Sequence, residues 1–171
     1  MSSCHGDKGR ILDVSDLNYQ NPDGVSVYYF LSPECPLCEN YTKDFKDLYN
    51  EFYKEGIKFY GIFPGDYYSE ERILRYFEEY SLPIIPVLDL EFEMASYYKA
   101  EITPECVLVN KEGEILYQGK LDNWLLELGR RKRNIDQYYL KDAIIAHLSG
   151  KEVEVKRTTA IGCFIEYKIK R

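Results

Sequence analysis

Cys35-Pro36-Leu37-Cys38 constrains this chain more than any other feature, because the two thiols fall where one side-chain pattern gives way to another. Residues 25–31 are an apolar run, β-branched and aromatic without clean alternation, as expected of a strand buried on both faces. From residue 41 onward Tyr41, Phe45, Leu48 and Phe52 recur at helical spacing, which predicts a helix over 41–54 with one apolar face. Gly56 is placed to close that helix, since glycine takes a left-handed backbone without a Cβ clash. If the helix begins near Pro36, Cys35 sits at its N-terminal end, where free backbone N–H groups and the helix dipole favour a thiolate. Cys38 lies one turn further on. It is then a neighbour of Cys35, able to attack a mixed disulfide formed at the first sulfur and release a reduced partner.

The same spacing also serves half of a zinc site or a structural disulfide. Zinc normally takes four ligands, and the chain has no second Cys-x-x-Cys and only His5 and His147, neither at ligand spacing from another candidate. Dithiol redox chemistry with no metal and no added cofactor is therefore expected.

The rest of the chain alternates strands and helices. Residues 1–23 are polar and end in the turn sequence Asn21-Pro22-Asp23-Gly24, so the expected organisation is a tail over 1–23, a domain over 24–150 and an extension over 151–171 packed on that domain. A second strand is predicted over 57–63. Ser69 ahead of Glu70 and Glu71 reads as a helix start, with Ile73, Leu74, Phe77 and Tyr80 on the inner face. Pro83 and Pro86 impose an extended segment leading into Val87-Leu88, and Asp89 is a cap for a short helix over 92–99. A hairpin follows, 106–110 and 115–118 around Lys111-Glu112-Gly113-Glu114, then a last helix over 138–147. Crossover helices give parallel strands and hairpins antiparallel ones, so the class is α/β with a mixed central sheet and helices on both faces.

Composition excludes several functions. A chain of 171 residues with 45% hydrophobic content is expected to build one core, and 22 basic against 29 acidic residues, net charge -7, argue against a nucleic-acid footprint, which needs a clustered positive surface. The basic clusters at 130–133 and 168–171 read as solvated surface. The 17 tyrosines are spread along the chain, consistent with ring packing and surface hydroxyls. No apolar run reaches the ~18 residues of a membrane span. Met1-Ser2-Ser3-Cys4 before His5-Gly6-Asp7-Lys8-Gly9 resembles the trimmed join at which bacterial lipoproteins are lipidated on cysteine. That resemblance implies a membrane tether through Cys4 and a place in the cell envelope or periplasm; the alternative is an exposed cysteine in a polar tail, with the cytoplasm left open.

The order of elements with Cys-x-x-Cys after the first strand resembles the thioredoxin-like superfamily, a three-layer sandwich. Ile102-Thr103-Pro104 ahead of the strand at Cys106 resembles the loop whose proline is cis in that superfamily and faces the two cysteines. Thr103-Pro104-Glu105, the segment Tyr117-Gln118-Gly119-Lys120-Leu121-Asp122, Tyr139-Leu140-Lys141-Asp142-Ala143-Ile144 and Ala160-Ile161-Gly162-Cys163 are similar to redoxins of the alkyl hydroperoxide reductase/thiol-specific antioxidant division. The resemblance implies Cys35 as nucleophile, Cys38 as resolving thiol, and Thr103 with Pro104 as backbone contacts for an extended substrate. The family's usual tryptophan before the first cysteine is Glu34 here, and Glu105 follows the proline. Two nearby carboxylates are expected to raise the Cys35 thiol pKa by like-charge repulsion, against the helix end.

Three activities fit this site. The first is thiol–disulfide exchange with protein dithiols or disulfides and an upstream thiol reductant. The second is a thiol peroxidase, since Ser32-x-x-Cys35-Pro36 partly imitates the peroxidase pattern, although none of Arg72, Arg75 and Arg130 matches the family's arginine. The third is copper handling through two soft thiolates, for which His147 reads better as a helix-surface residue than as a ligand. Cys106 at a strand start is expected to be a small buried hydrophobe. Cys163, in an apolar patch after a polar linker, is a buried thiol, an alternative resolving thiol for Cys35, or a partner for Cys106.

Overall fold

The computed structural model describes residues 9–168. Cys4 and the lipoprotein-like join around it lie outside the described residues, as does His5. In chain order the elements are β1 (Leu12–Asp13), β2 (Ser26–Phe30), α1 (Pro36–Asn40), α2 (Thr42–Phe52), β3 (Lys58–Pro64), α3 (Glu70–Glu79), β4 (Ile85–Asp89), α4 (Glu93–Tyr98), β5 (Ile102–Thr103), β6 (Glu105–Val109), β7 (Ile115–Gly119), β8 (Leu125–Glu127), β9 (Arg130–Arg131), α5 (Tyr139–Leu148) and β10 (Cys163–Phe164).

The main sheet has the order β1-β4-β3-β2-β6-β7. Its first four strands run parallel, while β6 pairs antiparallel to both β2 and β7. This is the mixed sheet expected from crossovers followed by a hairpin. Strand alternation sends Val27, Tyr29 and Leu31 into a core with α2, α3 and α5, while Tyr28 and Phe30 face a second core with Met94, Ala95 and Tyr98 of α4. Helices therefore cover both faces, and each core is rich in aromatic rings, among them Tyr29 against Phe45 with centroids 4.4 Å apart.

Four details depart from the sequence-based expectation. Residues 9–23 are not simply a polar tail. Leu12 and Asp13 add β1 to the edge of the sheet beside Val87 and Leu88, and Val14 is buried against the α4-side core. Only two residues pair, too few for periodicity to register. The helix expected over 41–54 begins earlier and is broken: α1 ends at Asn40, and at Tyr41 ψ is 0° and the backbone leaves helical geometry before α2 starts at Thr42. A 3-10 turn then leads to Gly56, whose φ of 79° is the left-handed cap expected of it. On α3 the buried residues are Ile73, Tyr76 and Phe77, while Leu74 and Tyr80 are half-buried. Finally, the basic cluster at 130–133 begins in a small β8/β9 hairpin in which Arg131 lies over the Trp124 ring.

Two caps behave as their residue types require. The Ser69 hydroxyl accepts from the Arg72 N–H at the start of α3. Asp89 accepts from the N–H groups of Met94 and Ala95, and burial pushes its pKa up against the pull of those bonds. No helix among the described residues is long and apolar enough to cross a membrane.

Beyond α5 the chain runs along β7. The Gln118 N–H donates to the Lys156 carbonyl and the Thr158 N–H donates back to Gln118, at 3.0 and 3.1 Å. The approach is close enough that a Cβ on Gly119 would meet the Thr158 hydroxyl oxygen at 2.2 Å. The segment then crosses to β5, where β10 pairs with it in antiparallel register, Cys163 opposite Thr103 and Phe164 opposite Ile102.

Candidate active site

β2 is completely buried, and the chain emerging from it turns through Ser32, Pro33 and Glu34 into α1. Cys35 is the N-cap residue of α1, with extended backbone, and Pro36 takes the first helical position, where its missing N–H costs nothing. The loop is pinned from α3 and from the residues before it. The Arg72 guanidinium donates to the Pro33 carbonyl at 2.8 Å, the Ser32 hydroxyl bonds Tyr68 at 2.8 Å, and the Tyr76 hydroxyl donates to the Cys38 carbonyl at 3.2 Å. These three anchors carry no sequence signature. Tyr76 is marked only by falling beside Phe77 on the inner face of α3, and the two others come from residues 36 and 39 positions away.

The Thr103-Pro104 peptide bond is cis, as the Ile102-Thr103-Pro104 sequence suggested. The loop it forms faces the cysteines. As a thiol, Cys35 donates to the Thr103 carbonyl at 3.3 Å. Its sulfur also lies 2.8 Å from that of Cys163. Cys35 and Cys38 keep 1% and 0% of their surface, and Cys163 is half-buried above them. An open groove of about 410 Å³ leads to this point, lined by Glu34, Tyr67, Tyr68, Thr103 and Phe164 among others.

The three thiols are electrostatically unequal. The Cys35 pKa is lowered from 9.0 to about 5, chiefly because the Cys38 thiol donates a hydrogen bond to its sulfur; the Cys163 thiol, the Cys38 N–H and the Thr103 hydroxyl help, and burial opposes them. Cys38 moves the other way, well above its ordinary value, through burial first, then its hydrogen bond to the Cys35 sulfur and that sulfur's charge. Burial and Cys35 together push Cys163 up to about 12. One thiolate thus sits between two protonated thiols.

This corrects the expectation that Glu34 and Glu105 raise the Cys35 pKa. Glu105 stands opposite Phe30 in the β2/β6 register, so its side chain points to the α4 face of the sheet, away from the Cys35 face. There its carboxylate accepts from the Gln118 side-chain amide at 2.8 Å and from the Glu101 N–H at 3.2 Å. Glu34 is next to Cys35 in the chain but exposed to solvent, which screens its charge.

The remaining candidates lie elsewhere. The Cys106 thiol is fully buried, donates to the Gly119 carbonyl at 3.1 Å and is shifted well upward by burial, as suits a core residue. His147 lines a separate cavity with Val25, Gly56 and Asn110, at the end of β2 opposite to the one that leads to Cys35. Among the described residues no cluster of three or more His, Cys, Asp or Glu side chains is arranged to hold a metal ion.

Comparison with known proteins agrees with this geometry. A curated relative, the thiol-disulfide oxidoreductase ResA of Halalkalibacterium halodurans, is 24% identical over 106 residues, 61% of this chain and 59% of its own length. The chain therefore spans less than two thirds of that relative. An uncharacterized conserved protein from Geobacillus kaustophilus superposes with a TM-score of 0.75 at 26% identity, over 89% of this chain and 82% of that one. A thioredoxin-like protein from Aeropyrum pernix superposes with a TM-score of 0.52 at 18% identity, over 60% of this chain and 73% of that one, a likeness of fold alone. The architecture is thioredoxin-like. The sequence profile of the AhpC/TSA family matches residues 3–118. That span takes in the whole of the Cys35–Cys38 loop and the cis-proline segment, and this redoxin chain belongs to the AhpC/TSA family.

Proposed function

We propose that the chain is a thiol–disulfide oxidoreductase acting on protein thiols and disulfides, with Cys35 as nucleophile and Cys38 as resolving thiol. The observation that carries this is geometric: Cys35 caps the N-terminus of α1, with Cys38 buried one turn further on, and its sulfur lies 3.3 Å from the Thr103 carbonyl beside the cis Thr103-Pro104 bond. The lowered Cys35 pKa and raised Cys38 pKa agree with it. The thiolate of Cys35 attacks one sulfur of a substrate disulfide and expels the other as a thiolate, leaving a mixed disulfide. That step removes the negative charge from Cys35. Two of the influences holding the Cys38 pKa up are the hydrogen bond to that sulfur and its charge, so Cys38 is then easier to deprotonate. It attacks the Cys35 sulfur, forms the Cys35–Cys38 disulfide and releases the substrate as a dithiol. An external thiol reductant regenerates the pair, and the sulfurs carry both electrons without a cofactor. Thr103 and Pro104 offer backbone to an extended substrate segment. The name of the relative ResA supports this activity.

Peroxide reduction has less support. The Ser32 hydroxyl is occupied by Tyr68 and the Glu34 N–H, and Arg72 is spent on the Pro33 carbonyl. For copper handling, His147, the one histidine among the described residues, lies at the other end of the sheet from the thiols. We assign the protein to the cell envelope, tethered through a lipid on Cys4, on the strength of the residues around that cysteine.

The test is reduction of a protein disulfide with dithiothreitol as electron source. The wild-type chain accelerates it and Cys35→Ser does not, while peroxide consumption stays at background in both. Retained activity in Cys35→Ser rules the proposal out.

A further inference from the structure

We propose that Cys163 is a third redox cysteine, held by β10 where a substrate sulfur would stand, and that it exchanges with Cys38 for the bond to Cys35. This rests on the oxidoreductase function proposed above and adds an internal partner to it.

Four observations converge. The sulfurs of Cys35 and Cys163 lie 2.8 Å apart although 128 residues separate them in the chain, closer than two unbonded sulfurs ordinarily approach. β10 is an added strand, antiparallel to β5, with Cys163 opposite Thr103, the residue before the cis-proline. An extended partner pairing with β5 would put its own cysteine there. Gly162 makes the approach possible: a Cβ at that position would lie 2.0 Å from the Thr103 carbonyl oxygen. The strand is also tied down beyond the cysteine. The Ile165 N–H donates to the Glu101 carbonyl at 2.8 Å, the Tyr67 hydroxyl to the Glu166 carbonyl and the Tyr167 hydroxyl to the Ala100 carbonyl, and Lys168 pairs with Asp66. Phe164, by contrast, is 78% exposed, so it is backbone and flanking contacts that seat Cys163.

The exchange balances without an outside reagent. Starting from the Cys35–Cys38 disulfide, the Cys163 thiolate attacks the Cys35 sulfur. The Cys35–Cys163 bond forms, the Cys35–Cys38 bond breaks, and Cys38 leaves as a thiolate that takes up the proton Cys163 gave up. No net electrons move. Cys163 is the less buried of the two competing thiols, so it has less desolvation to overcome on ionising. The same attack resolves a mixed disulfide between Cys35 and a small thiol, expelling that thiol.

Oxidation of the full chain with oxidised glutathione, followed by non-reducing digestion and mass spectrometry, tests this. In Cys38→Ser the expected product is a Cys35–Cys163 peptide and two equivalents of glutathione thiol; in wild type both Cys35–Cys38 and Cys35–Cys163 peptides appear. Adding Gly162→Ala to Cys38→Ser, which alters no sulfur, should abolish the Cys35–Cys163 peptide. A Cys38→Ser protein that stops at a Cys35–glutathione adduct with Cys163 free to alkylate overturns the proposal, as does an undiminished yield with Gly162→Ala. If Cys38→Ser does not fold, the absence of any Cys35–Cys163 peptide from oxidised wild type overturns it equally. Wild type that still reduces protein disulfides in those cases leaves the oxidoreductase function standing. A Cys35 that takes no glutathione and wild type without turnover bring down both.

Discussion

The carbonyl oxygen of Thr103 lies 3.3 Å from the sulfur of Cys35, and 68 residues of chain separate them. The contact joins the loop after β2 to the end of β5, just ahead of β6, and β2 and β6 are antiparallel neighbours in the middle of the sheet. The nucleophile is thereby held against the backbone on which an extended partner would lie.

The lowered Cys35 pKa has a consequence for reactivity with pH. Because its pKa is about 5 where an ordinary cysteine has 9.0, Cys35 is a thiolate through the neutral range while Cys38 and Cys163 are not. Alkylation of native protein by iodoacetamide should rise through an inflection near pH 5 and modify Cys35 first. An inflection near 9.0 contradicts it.

Stability should follow the same titration. A group whose folded pKa lies below its unfolded one contributes stability that is fully present above the unfolded value and lost as pH falls through the folded value. For Cys35 that window runs from 9.0 down to about 5, and above it the raised Cys38 and Cys163 work in the opposite sense. Denaturant unfolding of the reduced protein between these limits should show stability increasing with pH, and Cys35→Ser should flatten the slope. An identical slope in the variant excludes the thiolate as its source.

Neither neighbouring carboxylate should set the nucleophile's pKa. Glu105→Gln leaves the alkylation inflection where wild type has it, because the side chain is on the other sheet face, and Glu34→Gln does the same because water screens that group. A clear downward move in either variant returns that carboxylate to the site.

Tyr76→Phe removes the buried donor to the Cys38 carbonyl and should cost about 1–2 kcal/mol, the usual loss when a buried acceptor is left unpaired. The urea midpoint measures it. An unchanged midpoint means that the hydroxyl does not support the end of α1.

Gly56→Ala should cost about 1 kcal/mol, since φ at that position is 79° and alanine pays for a left-handed backbone. Thermal unfolding of the variant checks it, and a gain in stability would mean that the turn after α2 relaxes to a right-handed form.

Short-range pattern was enough for much of the molecule. The run at 25–31, the spacing of Phe45, Leu48 and Phe52, Ser69 ahead of two acids and the pair Thr103-Pro104 all act within one or two turns of chain, and each appears in the structure close to where its pattern placed it. Glu105 shows the limit. Its distance from Cys35 looked short because it follows the cis-proline, yet a one-residue step along a strand reverses the face, and register with Phe30 decided the direction. The break at Tyr41 was hidden because an apolar stripe continues across it, and β1 because two residues carry no period.

The thiol chemistry divides in the same way. Which residues carry it, Cys35 and Cys38 at a strand-to-helix boundary, is a matter of local order along the chain. How those sulfurs ionise, and that a third thiol 128 residues away lies over them, depends on hydrogen bonds and burial that arise only when β5, α1 and β10 meet. A pKa responds to the charges, donors and water that surround a group in space, and separation along the chain says nothing about those.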